Sequence, residues 1–380
     1  MARSKPRKKR RSLAGRVARL LLRLTRAAVV AVFLAAIWSA GFIGLHCYSR
    51  TSSQPAADAR VEHDPAETDT YRREEASTFL TLPEWYIVYN TDEYARALTT
   101  RPPSAFPYVG SIRQYWRYYG GACRATKGVY PFSGSNHLML AVIGSSFSLE
   151  YAIKGFYENT GGRLAEWIAG HDTPEDAYAR QTAAEYGTFM HTVPWYEFPF
   201  GQKIKELWTS TPAVGPHMFR KWERRAVLTT EYGAKALYAL LIGFGSETTY
   251  GTVDTTIGAR IQNAGPEVFA DGAVKKITET PTGIVVRIPR YEAFTGRVLS
   301  MLRQGVRFVD IAANDEIVIT VLAPAGWSGD NLNALTVVDE RVLTDVTTRR
   351  VALRIPVKEL HTVVPRIEAG GTRVEHLYDY

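Results

Sequence analysis

The residues best suited to chemistry lie between Tyr186 and Phe200, where YGTFMHTVPWYEFPF gathers Met190, His191, Trp195, Tyr196, Glu197 and Phe198. Histidine exchanges a proton near neutral pH, which makes His191 a candidate catalytic residue. Glu185 is a second candidate. It lies six positions before His191, on a different helix face, so the two are not an obvious acid–base pair. Glu150 is the third. Together with Glu166, Glu185 and Glu197 it belongs to the carboxylates that a glycoside hydrolase would set about 5 or about 6.5–9.5 Å apart. As a haem or metal ligand His191 lacks a second ligand at i+3 or i+4, and neither a metal nor a cofactor is expected.

Other catalytic signatures are missing from the sequence. Gly134-Ser135 continues as Asn136-His137, and Gly144-Ser145-Ser146 lacks the flanks of a nucleophile elbow. No glycine loop of the phosphate-cradling GxxxxGK[ST] type occurs. The two cysteines, Cys47 and Cys123, sit in no CxxC pair. One cysteine in the folded body makes no disulfide framework, and Cys47 is expected as a thiol at the membrane boundary or a link between two copies.

Binding chemistry is better represented. Trp and Tyr favour the membrane–water boundary, so Trp195, Tyr196 and Phe198 are candidates for lipid or partner contact, with burial in a core as the competing role. The group Arg220, Lys221, Arg224 and Arg225 reads as a solvated helix face. Arg220 and Arg224 are its candidates for a lipid headgroup or an acidic partner. The run LPEWYIVYNTDEYA is too particular to be filler, yet no activity attaches to it.

The elements that must position these residues begin with a basic tail. Residues 1–26 hold eleven Lys and Arg and no acid, so a chain of net charge +8 is about −3 beyond them. A nucleic-acid binder carries its basic stripe on the folded domain, and no nucleic-acid partner is expected. Residues 27–45 form a run without charge, long enough for one transmembrane helix, and the charge bias places the N-terminus in the cytoplasm. A signal anchor is the resulting expectation, because small residues suited to cleavage are poorly placed after the run.

Residues 46–75 read as a polar linker and residues 76–250 as a mostly helical, aromatic-rich domain. Thr173-Pro174-Glu175-Asp176 marks a helix start. Leu138 to Ile153 is apolar enough to raise a second span, although its length suits a buried or interfacial helix better. Residues 251–380 show β-branched alternation and an internal repeat. Arg287-Ile288-Pro289 recurs as Arg354-Ile355-Pro356, and Gly305 as Gly371. These features predict two similar ββαβ units joined by a strand near Ile317–Leu322, forming a ferredoxin-like α/β sandwich.

The fold class expected is therefore α+β with a single-pass anchor. The function expected is an accessory or binding protein of the inner (cytoplasmic) membrane, its body extracytoplasmic and periplasmic, contacting membrane lipid or a membrane protein partner. The alternative is an extracytoplasmic enzyme acting on a cell-envelope substrate, with its site around Glu150, Glu185 and His191.

Overall fold

Thr173 starts a helix as its neighbours require. Its hydroxyl accepts from the Asp176 amide while the Asp176 carboxylate accepts from the Thr173 amide, satisfying two donors that helix geometry leaves unpaired. That helix runs Pro174–Met190 in the computed structural model, which describes residues 33–48, 71–73, 76–246 and 255–379, with residues 26, 30 and 68 singly. The basic tail, the start of the 27–45 run and most of the linker lie outside the described residues. Among the described residues, no helix is long and apolar enough to cross a membrane.

The chain is α+β. Its helices are α1 (33–47, ending in a π turn, Ile43–Cys47), α2 (Ala76–Leu80), α3 (Leu82–Leu98), α4 (Tyr108–Thr126), α5 (Gly134–Tyr157), α6 (Arg163–Ala169), α7 (Pro174–Met190), α8 (Phe200–Ser210) and α9 (Met218–Ser246). Strands β1 (Thr256–Gln262), β2 (Lys275–Thr280) and β3 (Gly283–Pro289) follow, then α10 (Glu292–Arg303) and β4 (Arg307–Ile311). The same order returns as β5 (Glu316–Pro324), β6 (Leu335–Val342), β7 (Asp345–Pro356), α11 (Leu360–Ala369) and β8 (Arg373–Leu377).

The repeat is deeper than the sequence motifs suggest. Each unit forms its own four-stranded antiparallel sheet, ordered β2-β3-β1-β4 and β6-β7-β5-β8. The strand expected to link the units is instead the opening strand of the second, pairing with β7 and β8 as β1 pairs with β3 and β4. Bulges recur at matching places, after Arg260 and Thr320 and after Lys276 and Thr336. A bulge re-aims a strand and is retained as a designed feature, so its repetition speaks for a duplicated unit. β6 and β7 are longer than β2 and β3, which moves every later match further along the chain.

Apolar side chains of both sheets meet Phe294, Val298 and Met301 of α10 and Leu360, Val363 and Ile367 of α11 in one core. The opposite face of the second sheet, with Val318, Val338, Ala352 and Tyr378, packs on Trp85 and Tyr86 of α3 and Tyr118 of α4. On the first sheet Tyr71 lies against Val285 and Ala313. It passes so close to Gly258 that an added Cβ would stand 2.4 Å from it.

The cysteines overturn their expectation. Cys47 and Cys123 form an intramolecular disulfide across 76 residues of sequence, with Cα atoms 4.6 Å apart. They meet because α1 folds back onto the helices. Phe42 packs on Trp116 at 4.9 Å and Tyr119 at 5.1 Å, and the Ser39 and Ser145 hydroxyls lie 2.9 Å apart. His137 lies beside the pair, its Nδ1 2.9 Å from the Tyr119 hydroxyl, and the sulfurs are spent on each other.

Closing a loop of this length stabilises a fold by about 4 kcal/mol on the chain-entropy argument. Denatured, unreduced protein should therefore show no free thiol by reagent titration. Replacing both cysteines by Ser should lower the unfolding free energy by about that amount.

Candidate functional site

The three catalytic candidates fall in three different places. His191 closes α7 and bridges two carboxylates, with Nε2 2.8 Å from Asp92 and Nδ1 3.1 Å from Glu292. Hydrogen bonds to Asp92 and then to Glu292 raise its pKa to about 10. A charged imidazole with both nitrogens donating is a cross-link between α3, α7 and α10, without a lone pair for base catalysis at neutral pH. Nearby, His376 of β8 is fully buried with its ring 3.7 Å from that of Trp85, and burial lowers its pKa to about 3. Glu185 pairs with Lys203 of α8 at 2.6 Å. Glu150 stands on α5, facing α9.

The aromatic run is largely packing. Phe198 is buried among Tyr186, Phe189 and Phe200, which overturns its expected role in contact. Trp195 is half-buried 5.2 Å from Tyr238, and Tyr196 is half-buried beside it.

Arg220 and Arg224 were expected on a solvated face, and they are buried. Arg220 donates to Asp176 at 2.8 Å and to Glu223 at 3.1 Å, and Arg224 donates to Glu158 at 2.9 Å. Lys221 and Arg225 share Glu175, at 3.1 and 2.9 Å. The sequence places four cations on one turn, whereas their partners come from the turn after α5 and the start of α7. Only the fold brings them together.

Above this layer α5 and α9 run antiparallel, joined by cross-helix pairs. Ser146 faces the Tyr238 hydroxyl at 3.0 Å, Lys235 pairs with Glu150 at 2.9 Å, Lys154 with Glu231 at 2.8 Å, and Tyr157 donates to Glu223 at 2.6 Å. Both helices carry the spacing Glu-x-x-x-Lys, as Glu150–Lys154 and as Glu231–Lys235. In antiparallel neighbours that spacing sets each Glu opposite the other helix's Lys. The spacing was the one available signal for Lys154, Glu231 and Lys235, which the catalytic motifs do not single out. α5 is held close to α4 at Gly144 and Gly155, where an added Cβ would stand 2.2 Å from Tyr115 and 2.8 Å from Tyr108.

The two ion pairs line a cavity of about 80 Å³, walled by Tyr94, Phe147, Tyr151 and Tyr186 and floored by Arg224. Beside it α5 exposes Leu138, Val142, Leu149, Ile153 and Phe156 along one stripe, and the end of α9 exposes Leu237, Leu240 and Leu241. The α5 residues recur at helical spacing, so they share one face of the helix. No protein family, curated protein or solved structure matches this chain.

Two measurements test this arrangement. Glu175→Gln leaves Lys221 and Arg225 buried without a carboxylate and should cost about 3–5 kcal/mol in urea unfolding. The folded-state pKa of His191 exceeds the ordinary 6.5, so its contribution is complete below pH 6.5 and lost as pH rises toward 10. The stability gap between wild type and His191→Gln should therefore narrow across that interval in thermal melts.

Proposed function

We propose that this chain is an extracytoplasmic accessory protein of the cytoplasmic membrane, whose anchor and helical face contact lipid together. The observation that carries this reading is the path of α1. Its contacts Ser39–Ser145 and Cys47–Cys123, with Cys47 near His137, run it antiparallel along α5. Phe33, Leu34, Ile37 and Trp38 of α1 are exposed beside the exposed stripe of α5. Wherever the apolar anchor enters lipid, α5 goes with it.

The charge bias of the tail supports a cytoplasmic N-terminus, and an intramolecular disulfide suits an oxidising compartment beyond the membrane. α4 separates the lipid-side helix α5 from the second sheet, as Trp116 bonds Ser148 on one side and Arg117 bonds Glu340 on the other. We read the paired sheets as a ferredoxin-like platform held away from the lipid, available to a membrane protein partner.

Nitroxides at Leu149→Cys and Ile153→Cys in the full chain, reconstituted in nanodiscs with the disulfide intact, test the reading. Relaxation by oxygen should dominate over relaxation by an aqueous nickel complex at both positions. Val346→Cys, exposed on β7, should show the reverse. Nickel accessibility at Leu149 equal to that at Val346 contradicts the proposal.

A further inference from the structure

We propose that the cavity between α5 and α9 receives a zwitterionic headgroup bearing phosphate and amine, presented by a membrane phospholipid whose chains lie along the apolar stripe. The inference rests on the lipid-contact reading above and names what the charged cavity takes from that lipid.

Charge balance gives the class of ligand. Two ammonium groups, Lys154 and Lys235, are matched by two carboxylates, Glu231 and Glu150. The remaining cation of the lining, Arg224, is committed to Glu158 and Glu223 at 2.9 and 3.1 Å. An anionic headgroup would set its charge against both carboxylates, and a cationic one would face both lysines. A zwitterion satisfies both sets. Each ammonium carries three donors, and among the carboxylates Lys154 has only Glu231 within 3 Å and Lys235 only Glu150. Lys154 spends a second donor on Tyr94, and a donor still remains on each lysine, so phosphate oxygens can accept from both without displacing either pair, and the amine can donate to Glu150 and Glu231.

The walls hold the lysines in place. Tyr94 faces Lys154 at 4.3 Å and Tyr186 faces Lys235 at 4.7 Å, so each ring face already carries an ammonium, and a guest amine is left to the two carboxylates. Size sets a limit. A cavity of about 80 Å³ holds roughly five to eight water-sized occupants at about 10–15 Å³ each. That is the scale of a phosphoethanolamine group and too small for a sugar-bearing one.

Exposure shows where the ligand enters. The Glu150 side chain is 38% exposed, against 14–19% for Lys235, Lys154 and Glu231. It lies between Leu149 and Ile153 of the exposed stripe. The mouth therefore opens on the face assigned to lipid, where a headgroup can turn inward while its chains stay on the stripe.

The experiment is native mass spectrometry of the full-length protein in mild detergent, titrated with phosphatidylethanolamine, phosphatidylglycerol or soluble phosphoethanolamine. One phosphatidylethanolamine per chain should be retained and phosphatidylglycerol should not. The double variant Glu150→Gln/Lys235→Met removes one ion pair together and should weaken retention at least tenfold. A melting curve near that of wild type shows that this variant remains folded, and Lys154→Met/Glu231→Gln serves as the second test should it not. Equal retention of phosphatidylglycerol overturns the zwitterion, and equal binding of soluble phosphoethanolamine overturns the lipid as source. If no lipid is retained while a nitroxide at Leu149 stays oxygen-accessible, the cavity proposal fails alone. Nickel accessibility at that nitroxide removes the reading beneath it.

Discussion

The clamp between α1 and the helical body governs the rest of the arrangement. A membrane anchor followed by a long polar linker would leave the body free to turn at any angle to the bilayer. Here Cys47 is bonded to Cys123, and Phe42 lies against Trp116 and Tyr119. Residues 33–45 of the proposed anchor are thus part of the body's own packing. On the proposed function the exposed stripe on α5 and the apolar end of α9 acquire a physical reason, since side chains that share lipid with an anchor need no polar cover. On the same proposal the clamp sets which side faces away from lipid, because α4 stands between α5 and the second sheet.

Charge inside the helical body is arranged in two tiers. The lower tier, around Arg220, Lys221, Arg224 and Arg225, is closed, with buried carboxylates supplied from two other segments. Burying such ions is costly in itself, and each pair chiefly penalises arrangements that leave an ion alone. That property makes the tier a device for fixing how α9 docks on α7 and on the turn after α5. The upper tier, Glu150–Lys235 and Lys154–Glu231, borders open space instead of packing. Similar chemistry thus serves alignment in one place and, on the headgroup proposal, offers donors to a guest in the other.

Local rules made much of the architecture legible. The cap at Thr173 lies where its residue types put it, and the Arg-Ile-Pro triplets mark the ends of β3 and β7. The opening strand β1 escaped, and β5, expected as a strand at Ile317–Leu322, was taken for a link, because a repeat is recognised by its motifs and Thr256–Gln262 shares few residue types with Glu316–Pro324. The disulfide escaped for a different reason. Nothing near Cys47 in sequence shows that α1 doubles back, since the partners of Phe42 lie more than seventy residues later. Arg220 and Arg224 were misread because a cluster of cations looks solvated until their carboxylates arrive from elsewhere in the chain. His191 was found by type, and its chemistry was fixed by Asp92 and Glu292, which only the tertiary structure brings to its two nitrogens.

The central claim is that α5 lies in lipid alongside the anchor. Photo-crosslinking the reconstituted full-length protein with a phospholipid carrying a diazirine in its acyl chain tests it most directly, with adducts mapped by peptide mass spectrometry. The account predicts adducts on peptides covering Leu138–Phe156 and Leu237–Leu241 as well as on the anchor. Adducts confined to the anchor, with both other peptides unlabelled, would contradict it.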